Sequence, residues 1–299
     1  MPALGAERAR KRRRGLGPRF PGPREALARA AAALAPPAAA AGGPRPPAAR
    51  GQLAGGLVWL AVGEAAYGAL YLACLGRPAP LQWDAPPDAR GVRLAPEEAF
   101  LLAHELGCLE VVPEGSDCPL APPALWAALR AAAPGFSEAY AAFRHFLAKG
   151  WFVRSGLSYG VDYVLYRGHP ETAHAEFAAV VQRAPLLAAG TGRAVSGAGW
   201  GSPGAGVFAD WVQVQALVRL CGQVAKQIVV FHARVEGRGG GQGGGKGRGE
   251  DGEESGAGER GGGDDWASLE SLDRVEVREL VIGRWAPEGG KAPEAPPPG

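Results

Sequence analysis

Three side chains that could perform acid–base chemistry lie in the second half of the chain. Tyr166 and His174 fall within the stretch "YGVDYVLYRGHPETAH" (159–174), and Lys226 follows farther along. An imidazole titrates near neutral pH and suits a proton donor, whereas a phenol, with a pKa near 10, needs a neighbouring ammonium such as that of Lys226. Such a set suits metal-independent cleavage of a phosphodiester, which needs a base for the ribose 2′-hydroxyl, an acid for the leaving oxygen and a cation for the phosphorane.

The same residues also have an ordinary structural interpretation. Side chains alternate between faces along a strand, so Tyr159 and Tyr163 are expected on the core side and Tyr166 on the other, where the strand ends. A tyrosine on a strand usually belongs to a core, and a single histidine is usually structural. Spacing alone therefore leaves both interpretations open.

The distribution of charge bears on which partners the chain could bind. Its 299 residues carry a formal net charge of +2, but basic residues crowd the first fifty positions and acidic residues crowd 236–265. The globular part is therefore left without a basic excess. Proteins that bind nucleic acid on their own usually carry such an excess. We expect any site for a polyanion to be local or to be completed by a partner.

Two other classes of protein are disfavoured by the sequence. The four cysteines show no CxxC pairing, so we expect reduced thiols rather than a disulfide framework or a zinc site. The apolar stretch 57–76 carries Glu64 near its middle, where a charge in lipid is costly. It is expected to form a short strand and a core helix, and no membrane span.

Composition and periodicity divide the chain into parts. We predict an α+β fold, in which a mainly helical N-terminal domain precedes a compact α/β, nuclease-like C-terminal domain with a mixed sheet. Helical spacing of apolar residues in 94–112 and 122–150, broken at Pro134 and Gly135, supports the first of these domains. The predicted bounds are a disordered basic and Ala/Pro-rich tail (1–55), the N-terminal domain (56–150), the catalytic domain (151–286) and a disordered tail (287–299).

The C-terminal domain must position the three chemical residues. Its pattern predicts a hairpin that ends at Tyr166, a loop that returns to His174 at the mouth of the next strand, and a helix over 210–227 that carries Lys226. Two insertions interrupt it, a small-residue loop (184–206) and a disordered Gly/acidic segment (237–265). Insertions in loops cost little free energy, so the site is expected to survive them.

The stretch "KGWFVRSGLSYGVDYVLYRGHPETAHAEFAAVV" resembles the catalytic core of the tRNA-splicing endonuclease family, whose pattern is YGxD[YF]xxYxxxPxxxHxx[FY] followed by a lysine in a V[AS]K setting. The similarity continues through "ADWVQVQALVRLCGQVAKQ" and "GRWAP" and covers about residues 56–286 outside the insertions. The context is most similar to the eukaryotic catalytic subunit that cleaves the 5′ splice site, in its plant and green-algal form.

The resemblance implies roles for five residues of this chain. Tyr166 matches the general base, His174 the general acid, and Lys226 the lysine that stabilises the transition state. Arg219 and Trp285 match positions that grip the intron nucleotide by cation–π stacking, for which these residue types are suited.

The reaction implied is that of a tRNA-intron lyase. It cleaves precursor tRNA at the 5′ exon–intron junction and leaves 2′,3′-cyclic phosphate and 5′-hydroxyl ends, with no metal or other cofactor. The family works as a heterotetramer, so the implied partners are a second catalytic subunit and two structural subunits. The basic run at 11–14 predicts a nuclear location, and the Arg/Ala-rich N terminus leaves an organelle as the alternative.

Three alternatives compete with this function. A non-catalytic structural subunit of the same assembly would lack at least one of the three chemical residues, and all three are present. A metal-dependent nuclease would need an acidic pair near a lysine, for which Asp162 with Glu176 is the only candidate. An interaction module built on the tails is compatible with catalysis.

Overall fold

The computed structural model describes residues 20–35, 49–81, 86, 88–182, 211–224, 226–235 and 266–282. Two five-stranded sheets with helices packed against them organise this part of the chain. The α+β class is confirmed, as are the helices of the N-terminal region and the mixed sheet of the C-terminal domain. The predicted insertions 184–206 and 237–265 and the predicted tail 287–299 lie outside the described residues.

The N-terminal unit contains a sheet as well as the predicted helices. Its first elements are α1 (Pro23–Leu34), β1 (Ala49–Ala54), β2 (Leu57–Val62), α2 (Glu64–Leu72), β3 (Arg77–Pro78), β4 (Arg90–Leu94) and β5 (Leu109–Pro113). The strand order is β3-β4-β2-β1-β5, with β1 and β5 parallel and the other neighbours antiparallel. The sheet was not predicted because β3 and β4 are too short to show a clear period of two.

Three further helices confirm the predicted helical segments. They are α3 (Pro96–Phe100), which continues as a π-helical turn, α4 (Pro122–Ala132) and α5 (Phe136–Ala148). Two acidic residues lie in the first turn of α3, where their negative charge interacts favourably with the helix dipole. After the π-helical turn the chain changes direction at Gly107, which has a φ of +58°. Gly135, with a φ of +78°, separates α4 from α5 at the predicted break.

The prediction that residues 1–55 form a disordered tail is wrong for part of that segment. Helix α1 buries Ala26, Ala30 and Leu34 in the core, and β1 lies between β2 and β5. Alanine has the highest helix propensity, and its small side chain lets α1 pack closely on α2. The prediction counted only large apolar side chains and therefore missed a helix stabilised by close packing. Residues 1–19 and 36–48 lie outside the described residues.

The C-terminal sheet carries the candidate chemistry. Its elements are β6 (Phe152–Ser155), a 3₁₀ turn (Leu157–Tyr159), β7 (Tyr163–Tyr166), β8 (Phe177–Gln182), α6 (Trp211–Gln223), β9 (Gln227–Val235) and β10 (Val275–Ile282). The order is β10-β9-β8-β7-β6, in which β8 and β9 are parallel and the other neighbours antiparallel. The predicted hairpin is therefore present as β6 and β7.

Helices cover the two faces of this sheet. Leu165, Val181 and Phe231 pack with α5 in the larger core, whereas Val164, Val180 and Val230 pack with α6 in a second cluster. The even-numbered residues at the end of β7 and at the start of β9 therefore face α6.

The stretch 57–76 folds as the strand β2 and the helix α2, as predicted. No helix in the part of the chain that the structure describes is long and apolar enough to cross a membrane. All four cysteines are free thiols, of which Cys118 alone is exposed.

Candidate active site

The three chemical residues lie at one end of the C-terminal sheet. Tyr166 is the last residue of β7, His174 precedes β8 by three positions, and Lys226 directly precedes β9. The Glu176 amide donates to the Leu165 carbonyl at 2.9 Å, and the Gln227 amide donates to the Glu176 carbonyl at 3.1 Å. These bonds bring the ends of three adjacent strands together. Since neighbouring strands lie about 4.8 Å apart, the backbones of Tyr166 and Lys226 are about 10 Å apart.

Tyr166 is half-buried, and it packs against the cluster under α6 and against the edge of the larger core. Burial raises the pKa of its phenol, the nearby Tyr159 raises it further, and the Arg154 guanidinium opposes the rise. Arg154 is a diagonal neighbour on β6, because Phe152 pairs with Tyr166 and Arg154 pairs with Val164. Its cation therefore favours the phenolate, a role that was predicted for Lys226.

Lys226 lies in the turn between α6 and β9. Helix α6 ends at Gln223, and the Lys226 amide donates to the Cys221 carbonyl at 3.0 Å. The ammonium sits 4.8 Å from the centre of the Tyr159 ring, a cation–π contact. The predicted helix 210–227 is therefore too long at its C-terminal end, and Lys226 lies beyond the helix.

Tyr159 was predicted to share a face with Tyr163, and this prediction is wrong. Because Tyr159 belongs to the 3₁₀ turn before β7, it packs on the side of the sheet that α6 covers. Tyr163 is buried on the opposite side, as predicted, and its hydroxyl donates to the Ala139 carbonyl at 3.1 Å. Tyr159 thus contacts Lys226 and lies near Tyr166, so it belongs to the site.

The two histidines of the β7–β8 loop have different surroundings. His174 is exposed, and it makes no hydrogen bond or ion pair to another described residue. His169 is buried, stacks on Phe20 with ring centres 4.1 Å apart, and lies 3.3 Å through its Nε2 from the Tyr71 carbonyl. Only His174 can therefore meet a substrate without disturbing the packing.

The two predicted nucleotide-gripping residues remain predictions. Arg219 is exposed on α6, and Trp285 lies outside the described residues.

The acidic pair required by the metal-nuclease alternative is engaged elsewhere. A carboxylate oxygen of Asp162 accepts from the Val181 amide at 2.7 Å, and Glu176 forms an ion pair with Arg167 at 3.0 Å. Within the described ranges, no group of three or more His, Cys, Asp or Glu residues could hold a metal ion.

Sequence reasoning missed two residues of this site, Arg154 and Tyr159. The signal for Arg154 was a charged residue inside the predicted strand "WFVRS", a position that is unfavourable unless the charge has a partner or a task. For Tyr159 the signal was its place beside Gly160, which has a φ of +68° and interrupts the strand.

Comparison with known proteins agrees with the geometry. Residues 136–238 match the family described as tRNA intron endonuclease, catalytic C-terminal domain. This span starts with α5, which packs on the C-terminal sheet, and it contains Tyr166, His174 and Lys226.

Three relatives extend the similarity. The chain is 34% identical to tRNA-splicing endonuclease subunit Sen2-1 of Arabidopsis thaliana, over 53% of this chain and 58% of that protein. It is 29% identical to subunit Sen2-2 of the same plant, over 72% and 67%, and 27% identical to the mouse subunit Sen2, over 65% and 34%. The chain therefore spans about three fifths of the first relative's length and a third of the mouse protein's. The resemblance to tRNA-splicing endonuclease subunits, plant ones included, is confirmed.

Proposed function

We propose that this chain is the catalytic subunit of a tRNA-splicing endonuclease that cleaves precursor tRNA at the 5′ exon–intron junction. The observation that carries the proposal is the placement of Tyr166, His174 and Lys226 at the same end of the C-terminal sheet. The match of residues 136–238 to the catalytic domain of the family supports it.

The chemistry follows from what each side chain can do. Tyr166 takes the proton of the ribose 2′-hydroxyl, and the oxygen attacks the adjacent phosphorus. The bond from phosphorus to the 5′-oxygen breaks, and His174 donates a proton to that leaving oxygen. The Lys226 ammonium stabilises the extra charge on the non-bridging oxygens. The products are a 2′,3′-cyclic phosphate and a 5′-hydroxyl, with no net change in protons between substrate and products.

The environment of Tyr166 sets the pH dependence of this step. Because burial raises the pKa of the phenol, its ionised form is scarce at neutral pH. The same step needs a protonated imidazole as the acid, and an imidazole ordinarily loses its proton near neutral pH. Above that pH the gain in phenolate is offset by the loss of protonated acid, so we expect cleavage to rise at acidic pH and to level off between neutral pH and the pH at which Tyr166 ionises.

We further propose that the chain works in a heterotetramer with a second catalytic subunit and two structural subunits. The relatives are each named as a subunit, and the sequence outside its tails has no basic excess with which to hold tRNA alone. Strand β10 is the last in its sheet among the described strands, and Leu280 and Val281 on it are exposed. Unpaired backbone groups at a sheet edge, with exposed apolar side chains beside them, favour pairing with another chain. The basic run at 11–14 supports a nuclear location.

The test is the chemistry of the ends that the assembly makes. Intron-containing precursor tRNA is incubated with the assembly in EDTA, and the ends at both junctions are analysed. Cyclic-phosphate and 5′-hydroxyl ends formed in EDTA are expected. Cleavage that requires a divalent cation, or that leaves 3′-hydroxyl and 5′-phosphate ends, would contradict the proposed mechanism.

A further inference from the structure

A cleft of about 360 Å³ lies between the N-terminal unit and the loop that follows β7. Its volume is within the range of pockets that hold small organic ligands. Helix α2 and strand β3 form one wall, and β6 with the β7–β8 loop forms the other. The lining residues that bear on its chemistry are Tyr67, Tyr71, Arg77, Arg154, His169 and Glu171.

Aromatic and polar groups in the cleft are held in fixed positions. The Tyr71 hydroxyl donates to the Glu171 carboxylate, and the residue is 45% exposed in spite of its size. This hydrogen bond and burial raise the pKa of Tyr71 to about 12, so the phenol is neutral. His169, stacked on Phe20, packs its ring 5.2 Å from that of Tyr71. A half-exposed aromatic ring with a fixed orientation is a platform for a planar ligand.

The charges of the cleft favour an anion. Arg77 is exposed, and it makes no ion pair with another residue of the described ranges. Arg154 donates through one nitrogen to the Cys74 carbonyl at 3.1 Å, which leaves other N–H groups of the guanidinium for a ligand. The acid of the lining, Glu171, already accepts from Tyr71. Two guanidinium groups therefore outweigh one carboxylate.

The cleft adjoins the candidate active site. Phe152 pairs with Tyr166 across the β6–β7 ladder, and its ring lies 5.9 Å from that of His169. Arg154 shares this face and borders the cleft, while its cation acts on the Tyr166 phenol. A strand of RNA with its scissile phosphate at Tyr166 would therefore have a neighbouring nucleotide within reach of the cleft.

We propose that this cleft binds one nucleotide of the RNA next to the scissile phosphate. The base stacks on Tyr71, and Arg77 and Arg154 bind a phosphate, so that the chain positions the substrate with its own N-terminal unit. Stacking on an exposed aromatic ring and phosphate contact by arginine are the usual contributions to single-stranded RNA binding. This inference rests on the proposed function.

The experiment maps contacts in the complete assembly. A precursor tRNA with a 2′-deoxyribose at the 5′ junction cannot form the cyclic phosphate and stays intact. 4-Thiouridine is placed at one position at a time on both sides of that junction, and the cross-linked peptides are identified by mass spectrometry. We expect at least one position to cross-link to residues 64–78 or 167–172. The wild-type chain is used, so this result does not depend on a variant that must fold.

Affinity measurements with variants complete the test. Tyr71→Ala is expected to raise the Kd of the uncleavable RNA roughly tenfold, and Tyr71→Phe, which keeps the ring, to stay within about threefold of wild type. Arg77→Ala is expected to reduce the slope of log Kd against log salt concentration by about one, the change expected for the loss of one phosphate contact. Arg50→Ala is the matched control, because Arg50 lies on β1 and pairs with Glu110 on β5, on the side of the sheet away from β3.

The outcomes separate the cleft from the function. Absence of cross-links to both segments, with the Kd of Tyr71→Ala unchanged, would overturn the inference. Loss of a protein subunit from the Tyr71→Ala assembly, with RNA contacts mapped elsewhere, would also overturn it and assign the cleft to a protein partner. Cleavage of all-ribose RNA by wild type is measured in parallel. Failure of this cleavage would refute the proposed function. Normal cleavage, together with an unchanged Kd for Tyr71→Ala, would refute only nucleotide binding in the cleft.

Discussion

Two regions of the molecule are rich in rings, and they use them differently. The first, which we call the buried ring cluster, consists of Phe100, Trp126, Phe136 and Tyr140, whose ring centres lie 4.9 to 6.0 Å apart. All four are buried. The second, the site end of the C-terminal sheet, contains Tyr159, Tyr166 and His174, none of which is fully buried.

The difference lies in where the polar atoms of the rings point. In the buried ring cluster the Tyr140 hydroxyl donates to Glu105 at 2.6 Å, and the Trp126 indole donates to the Trp266 carbonyl at 3.2 Å. At the site end the rings interact with cations. The Lys226 ammonium lies over the Tyr159 ring, and the Arg154 guanidinium acts electrostatically on the Tyr166 phenol. A dense group of rings is therefore framework where its polar atoms are paired internally, and a candidate site where they meet cations and solvent.

The largest expected effect separates stability from activity. Phe100→Ala removes a fully buried ring from the buried ring cluster and is expected to lower the free energy of unfolding by about 3–5 kcal/mol. Urea denaturation of the purified chain measures it, with the exposed Leu157→Ala as the control, expected within about 0.5 kcal/mol of wild type. Cleavage per folded molecule should stay within about twofold. A large loss of kcat without a loss of stability would remove the distinction between the two regions.

The next effect falls on chemistry alone. Lys226→Ala is expected to lower kcat by about 10²–10³-fold, because it removes the cation that we propose stabilises the transition-state charge. Lys149→Ala, a lysine on the opposite side of the C-terminal sheet, is the matched control and should leave kcat unchanged. Single-turnover cleavage measures both. Equal effects of the two variants would mean that overall charge, and not position, matters.

A smaller effect tests Arg154. Its cation favours the phenolate of Tyr166, so Arg154→Gln should raise the pKa of that phenol further and reduce its ionised fraction at every pH below it. We expect kcat/KM to fall about tenfold near neutral pH and the alkaline limb of the pH profile, at which Tyr166 ionises, to move to higher pH. Arg154→Lys should restore most of the profile. A loss of rate with an unshifted alkaline limb would indicate that Arg154 acts only through its hydrogen bond to the Cys74 carbonyl.

The smallest effect lies outside both regions. Glu279 on β10 accepts hydrogen bonds from His145 at 2.6 Å and from Lys149 at 2.8 Å, and these bonds lower its pKa from 4.5 to about 2 against the effect of burial. A lowered pKa stabilises the folded state above pH 4.5, and this contribution is lost as pH falls toward 2. Glu279→Gln should cost about 0.5–1 kcal/mol at pH 7. Stability curves of the two proteins should converge near pH 2, and a constant gap would exclude the ionic origin.

Sequence patterns predicted the elements that follow strong local rules. The break at Gly135, the hairpin of β6 and β7, and the strand and helix within 57–76 all depend on glycine, proline or clear periodicity. The placement of Tyr166 at a strand end and His174 before the next strand followed from the same signals. These features are local, so neighbouring residues determine them.

What the sequence did not predict depends on contacts between distant segments. Helix α1 and strand β1 are stabilised by neighbours that come later in the chain, and alanine-rich composition resembled a tail. Arg154 reaches Tyr166 through the register of β6 and β7, which a hydrophobic pattern does not fix when a strand has only four residues. The cleft between α2 and the β7–β8 loop requires the packing of the two units, which no local pattern encodes.

One measurement tests the proposed catalytic role of this chain most directly. The assembly is reconstituted with wild type or with His174→Ala, and cuts are mapped at both junctions of an intron-containing precursor tRNA. We expect His174→Ala to lower cleavage at the 5′ junction about 10²–10⁴-fold and to leave the other junction unchanged. Undiminished cleavage at both junctions would show that His174 is not the acid and would favour a structural subunit.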